Sequence, residues 1–244
     1  MRIAVVETWT VREYDVVSST NLAASNLPAW HAVRADTQTA GRGRFQRSWV
    51  SDAGGLWLSA VVPIPQRALA ARLIPLLAGL AVCEGLKCLG VPTLRLRWPN
   101  DVLVDHKKLA GLLIDQFMPS LAVVGMGINI SNRPEASDPI LEGQVVRLAE
   151  LVAPVPPLST AMGVMLRSLK TIWTETEQLG TESLLERVNG LWQVPRTVLL
   201  DLDGRILTGE FGGVDMAGRL ILHEPTGRKC LFEPHEVRLL RDIT

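Results

Sequence analysis

Three arginines fall within six residues in the stretch Gly41, Arg42, Gly43, Arg44, Phe45, Gln46, Arg47, Ser48, Trp49, and no acidic residue occurs between Asp36 and Asp52. Arginine carries a rigid fork of donors that fits a carboxylate or a phosphate bidentately. The two glycines let backbone approach a ligand closely. The chemistry this points to is the gripping of an anion, although the stretch alone reads equally well as a solvated turn.

Three more polar clusters accompany it. Ser18, Ser19, Thr20 and Asn21 precede a short helical run; an N-cap needs only one of them, so polar groups are left over. Asn100 and Asp101 follow Pro99, where an Asx-turn is the plain alternative, and Lys108 opens the apolar run Leu109, Ala110, Gly111, Leu112, Leu113. That setting predicts a lysine stem held against a sheet with its amine inward, whereas Lys107 reads as a surface lysine. Gly125, Gly127 and Asn129 end a further apolar segment.

Other chemistries lack their residues. There is no G-x-G-x-x-G, no Walker lysine motif and no G-x-S-x-G elbow, and no histidine stands beside a motif serine or cysteine. The four histidines are scattered and the three cysteines have no metal spacing, which argues against zinc. What remains is chemistry without a protein nucleophile. A cage of Arg, Lys, Asn and one Asp suits nucleotidyl transfer, in which two anions are positioned and their repulsion is cancelled. Asp101 is placed near a magnesium ion, directly or through water.

The elements that must position these groups follow from pattern. Strands are predicted at 3–8, 30–36, 55–62, 93–98, 102–104, 107–117 and 121–130, with a turn at Asp105-His106. Residues 66–89 read as a buried helix with Pro75 near its start, and Cys83 and Cys88 as core residues of it. Residues 132–140 read as a loop. Residues 159–176 form an amphipathic helix whose stripe of Met162, Met165, Leu166, Leu169, Ile172 and Trp173 is core. Thr181 caps a second helix, which Pro195 ends. Four short strands and their Gly-bearing turns then fill 197–232, a barrel-like appendage beginning near Val194. The four polar clusters thus lie at strand ends or a helix start, where they converge on one rim of a sheet.

The 244 residues are 47% apolar and 20% charged with a formal net charge of zero, enough for a sizeable core and unlike a general nucleic-acid binder. The amino end is charged too early for a signal peptide, and the longest apolar run, 73–83, contains Pro75 and Gly79 and cannot span a bilayer. A cytoplasmic location is expected, with no membrane partner.

In their order and spacing these motifs resemble the biotin protein ligases. The resemblance rests on Ser19, Thr20, Asn21; on Gln38 ahead of Gly41, Arg42, Gly43, Arg44, with Arg47 and Trp49 following; on Arg97, Trp98, Pro99, Asn100, Asp101; on Lys108, Leu109, Ala110, Gly111; and on Gly125, Gly127, Ile128, Asn129. It implies an α+β fold: a class II aminoacyl-tRNA-synthetase-like catalytic domain at 1–194 and a small SH3-like C-terminal domain at 195–244. It implies formation of biotinyl-5′-AMP from biotin and ATP with Mg2+, then transfer of biotin to a lysine of an acceptor, such as the carrier domain of a biotin-dependent carboxylase. Ser19, Thr20, Asn21, Gln38, Arg42, Gly43, Arg44 and Lys108 would contact biotin. Arg47, Trp49, Asn100 and Asn129 would lie on the ATP side, and Lys108, Arg44, Arg47 and Asp101 would carry the chemistry. Loops 41–49 and 132–140 would close over the adenylate. A monomer or weak homodimer without DNA binding is expected. Two residues depart from the family pattern: Arg97 stands where lysine is frequent and Gln46 where glycine is frequent. Rival readings are a lipoate–protein ligase or related acyl transferase of the same fold, and a non-catalytic nucleotide or nucleic-acid module.

Overall fold

The computed structural model describes residues 1–192 and 196–243. Eight strands form the main sheet: β1 (Arg2–Val6), β2 (Trp9–Val17), β3 (His31–Gln38), β4 (Leu56–Pro63), β5 (Arg95–Arg97), β6 (Asp101–Val104), β7 (Lys107–Met118) and β8 (Leu121–Ile128). Their spatial order is β1-β2-β3-β4-β8-β7-β6-β5. Every neighbouring pair is antiparallel except β2 and β3. β4 sits at the centre, and its apolar run Leu56, Trp57, Leu58 and Ala60, Val61, Val62 is fully buried.

Helices cover the two faces unequally. α1 (Thr20–Ala24) lies on one face over a small cluster of Leu27, Val33, Val61 and Val123. On the other face α2 (Ala68–Arg72) leads into α3 (Ile74–Cys88), which packs against α5 (Leu158–Leu179) and α6 (Glu182–Gly190). α3 is apolar nearly all round because it is sandwiched between sheet and helices. Gly79 sits against Leu96, and Gly85 against Met165. Pro75 occupies the first turn of α3, where its missing N–H costs nothing. Cys83 is core as expected, but Cys88 at the end of α3 is exposed. The stretch 132–140 is not an open loop: it holds the single turn α4 (Pro134–Ser137) and a 3-10 turn at Pro139–Leu141.

A second, five-stranded antiparallel sheet follows: β9 (Thr197–Leu202), β10 (Arg205–Val214), β11 (Leu220–His223), β12 (Lys229–Phe232) and β13 (Leu239–Asp242), ordered β12-β11-β10-β9-β13. β13 had no counterpart in the sequence reading, and neither did β2. The expected boundary at 194/195, with Pro195, lies outside the described residues. The second sheet shares the main core through Phe211, Leu220 and Leu222, and Trp192 meets Phe211 edge to face at 5.3 Å. Trp98 Nε1 donates to Gly218 O at 3.0 Å, and Arg95 pairs with Asp242 at 2.9 Å. No helix among the described residues is long and apolar enough to cross a membrane.

Candidate active site

One cavity of about 380 Å³ opens on the α1 face of the main sheet, and every residue singled out above as a site candidate lines it. Its three parts are built differently.

The floor is a hydrogen-bond web. Ser19 takes the N-cap position of α1 without making a side-chain capping bond, so the capping explanation of this cluster does not hold. Ser19, Thr20 and Asn21 are buried instead. Gln38 Oε1 accepts from Thr20 N at 2.8 Å and from Thr20 Oγ1 at 3.0 Å. Gln38 Nε2 donates to Ser51 Oγ at 2.8 Å, and Ser51 Oγ donates to Trp49 O at 3.0 Å. Ser59, fully buried on β4, places Oγ 2.7 Å from Thr20 Oγ1 and 2.6 Å from Asn21 Oδ1. Asn21 Nδ2 donates to Asp115 Oδ2 at 2.8 Å. Gly125 has no Cβ because Asn21 occupies that space.

The middle carries the charge. β7 pairs with β6 as Ala110↔Val102 and then Lys108↔Leu103, which leaves Leu109 as the extra residue of a bulge. Strict alternation would put Lys108 on the helix face with Ala110 and Leu112. The bulge sends Leu109 into that core and re-aims Lys108 to the cavity face. Lys108 Nζ lies 2.6 Å from Asp101 Oδ1, and Arg97 Nη2 lies 2.7 Å from Asp101 Oδ2. Burial would raise the Asp101 carboxyl, but Lys108 and Arg97 outweigh it and hold the carboxyl below its ordinary range. Both oxygens of Asp101 are therefore engaged by cations. Among the described residues no group of three or more His, Cys, Asp or Glu gathers to hold a metal. Asp101 is the carboxylate beside Lys108 that would hold a magnesium ion directly or through water.

Trp49 forms the wall beside Lys108. Its indole lies on Gly111 and Gly127, where any Cβ would strike the ring, and Lys108 Nζ sits 4.7 Å from the ring centroid. The indole Nε1 is buried with no hydrogen-bond partner. Asn129 holds the lysine strand: its Nδ2 reaches Lys108 O at 3.4 Å, and its Oδ1 accepts from Asn132 Nδ2 at 3.0 Å. Asn100 donates across to Leu112 O at 2.6 Å, extending the sheet rather than closing an Asx-turn. The segment after α4 joins this wall, with Lys108 N donating to Gln144 O at 2.8 Å.

The basic loop forms the roof, and the second sheet holds it. Gly41 is pressed against Trp49 O and Ser51 Oγ, so a Cβ has no room there. Gly43, by contrast, has an ordinary extended backbone and free space for a Cβ. The left-handed positions are Phe45 and Gln46, with φ of 55° and 58°. Arg44 Nη2 donates to the carbonyl oxygens of Pro234 and Val237, and Arg47 Nη2 donates to Arg238 O at 3.2 Å. Two guanidinium groups lie over the Phe45 ring, Arg44 at 4.7 Å and Arg238 at 4.6 Å from its centroid. Burial pulls Arg44 down to about 10, with Asp101 raising it and Arg47 lowering it further, so it keeps its charge at neutral pH.

Sequence reasoning missed Ser59, Asp115, Phe45 and Arg238. Ser59 left a readable signal, as the one hydroxyl inside the apolar run of β4. The others are recognisable only once distant elements meet.

Cations, amide groups and the carboxylates of Asp101 and Asp138 line this cavity on an α+β sheet, a lining suited to anionic ligands. The chain matches the family model described as "Biotin/lipoate A/B protein ligase family" over residues 8–129, half of its length. It belongs to that family. It is 30% identical over 236 residues to a biotin–[acetyl-CoA-carboxylase] ligase of Mycobacterium tuberculosis, covering 90% of this chain and 83% of that protein. It is 36% identical over 132 residues to the bifunctional ligase/repressor BirA of Bacillus subtilis, covering 50% of this chain but only 40% of that relative. Among solved structures, the biotin protein ligase of Aquifex aeolicus in complex with biotin and ATP superposes with a TM-score of 0.82 at 25% identity, covering 95% of this chain and 98% of that one.

Proposed function

We propose that the protein is an ATP-dependent biotin–protein ligase. The observation that carries this reading is the convergence of all five motif segments on one cavity, with the amine of Lys108 at its centre. The likeness to a ligase solved with biotin and ATP supports it. In the first step a carboxylate oxygen of biotin attacks the α-phosphorus of ATP. A carboxyl–phosphate bond forms, the bond to the β-phosphate oxygen breaks, and pyrophosphate leaves. In the second step a lysine amine of the acceptor attacks the acyl carbon, AMP leaves, and the amine loses a proton to solvent.

The residues take roles their geometry allows. The floor at Ser19, Thr20, Asn21 and Gln38 receives the biotin ring. Lys108 exchanges its Asp101 contact for the two reacting anions, cancelling their repulsion. Before substrate arrives, Asp101 keeps the amine charged and aimed into the cavity. Arg42, Gly43 and Arg44 cover the acyl phosphate, and Arg47 faces the phosphates. Trp49, with its unpaired Nε1, and Asn129 and Asn100 border the nucleotide side. Magnesium arrives with ATP, where it would neutralise the leaving pyrophosphate, with Asp101 as the carboxylate that would hold it directly or through water. Enclosure under the roof protects a hydrolysable anhydride from water. The acceptor is the carrier domain of a biotin-dependent carboxylase. The main sheet is class II synthetase-like and the second is SH3-like, acting together in a cytoplasmic monomer or weak homodimer.

Pyrophosphate release, followed with ATP, magnesium and either biotin or lipoate, tests the reading. Release with biotin alone is expected; release with lipoate alone would reassign the enzyme to the lipoate branch of the family.

A further inference from the structure

The floor contains two residues that no motif includes, Ser59 and Asp115, and a count of hydrogens shows what they do. The Asn21 amide spends its hydrogens on Asp115 Oδ2 at 2.8 Å and Leu113 O at 3.3 Å. That fixes the amide polarity: nitrogen toward β7, and Oδ1 inward toward Ser59. Gln38 Oε1 already accepts from Thr20 twice, so the group Gln38 has left to offer is its second Nε2 hydrogen. Ser59 carries one hydroxyl hydrogen between two acceptors, Thr20 Oγ1 at 2.7 Å and Asn21 Oδ1 at 2.6 Å. One hydrogen cannot serve both at once, so whichever acceptor it leaves is open to a ligand N–H.

From this wiring we infer that Asp115 and Ser59 are positioning residues that make the floor read a ring bearing both a carbonyl and an N–H, as a cyclic urea does. Asp115 sets which end of Asn21 faces inward, and Ser59 lets the floor adjust to an incoming donor. A ring of sulfur and carbon alone, such as the dithiolane of lipoate, satisfies neither group. A buried acceptor deprived of its partner is penalised rather than merely unrewarded. The inference rests on the biotin reading above and adds to it the residues that enforce ring selection.

The test measures dissociation constants for biotin, lipoate and ATP, with Tm, on the wild type and on Asp115→Ala, Asp115→Asn and Ser59→Ala. In Asp115→Ala the nitrogen end of the Asn21 amide keeps only its longer bond to Leu113 O and is held less firmly, and biotin binding should weaken about tenfold, the scale of one lost buried hydrogen bond. ATP binding should hold, and the biotin-to-lipoate preference should fall by the same factor. Asp115→Asn should recover most of the affinity, because an amide oxygen accepts the same bond from Asn21. Ser59→Ala should move biotin in the same direction by a smaller factor. Equal weakening toward biotin and ATP, or an Asp115→Asn as impaired as Asp115→Ala, overturns the inference. So does biotin binding untouched by either alanine. A wild type that does not bind biotin at all overturns the functional reading and the inference with it.

Discussion

The floor and the roof of the cavity are polar in different ways. The floor is held by short local bonds: Thr20, Gln38, Ser59 and Asp115 of α1 and the main sheet, with Ser51 from the loop between β3 and β4, fix one another. The roof is held from outside. Arg44, Phe45 and Arg47 lean on Pro234, Val237 and Arg238, residues almost two hundred positions away. The contacts that hold the roof come from the segment joining the last two strands of the second sheet. The C-terminal segment thus borders the cavity although it contributes none of the five motifs.

Between the two lies the residue whose loss should matter most. Lys108→Ala should lower the rate of biotin-dependent ATP–pyrophosphate exchange about a hundredfold, ~3 kcal/mol of transition-state stabilisation. A near wild-type exchange rate would remove Lys108 from the centre of the mechanism. Next, Gly127→Ala should displace Trp49, since the new methyl would lie within 2.7 Å of the indole. We expect about a tenfold loss in kcat/KM for ATP, on the scale of one displaced contact group, with folding intact by circular dichroism.

The contrast between floor and roof is tested by a double-mutant cycle. Arg44→Ala and Arg238→Ala should each slow adenylate formation severalfold, and the double substitution should cost less than their sum, because both act through Phe45. Biotin affinity should change little in any of the three, and full additivity would mean that the second sheet does not hold the loop. A further separation comes from pH. The folded carboxyl of Asp101 lies below its ordinary value of 3.8. The stability it supplies is therefore complete above that value and is lost as the pH falls through the lower folded pKa. Asp101→Asn should flatten this acid limb of the unfolding profile, and an unchanged limb would contradict the pairing. The smallest effect is expected at Gln46. It is exposed and left-handed, so Gln46→Gly should stabilise the protein by about 0.5–1 kcal/mol, seen as a small rise in Tm.

Much of the floor was readable from the chain and little of the roof was. Strand ends at Gln38, Asn100 and Asn129 and the start of α1 are local features, and alternation of apolar residues locates them. The re-aiming of Lys108 was legible only as a lysine abutting an apolar run, because a bulge depends on how two strands register. The glycines of the basic loop suggested where its backbone is unusual, yet the left-handed backbone falls on Phe45 and Gln46, the first of them packed under Arg44 and Arg238. β2 was missed because Arg12, Glu13 and Asp15 interrupt its apolar pattern. β13 was missed because its pairing with β9 closes a sheet whose partners lie about forty residues apart.

The central claim is that one cavity both makes and shelters an acyl adenylate. It is tested most directly by incubating the protein with biotin, magnesium and ATP labelled at the α-phosphate, then separating protein from small molecules under non-denaturing conditions. The account predicts label that stays with the protein only when biotin is present and that is released as AMP when a carrier domain is added. Label that never stays with the protein, or that stays equally without biotin, would contradict it.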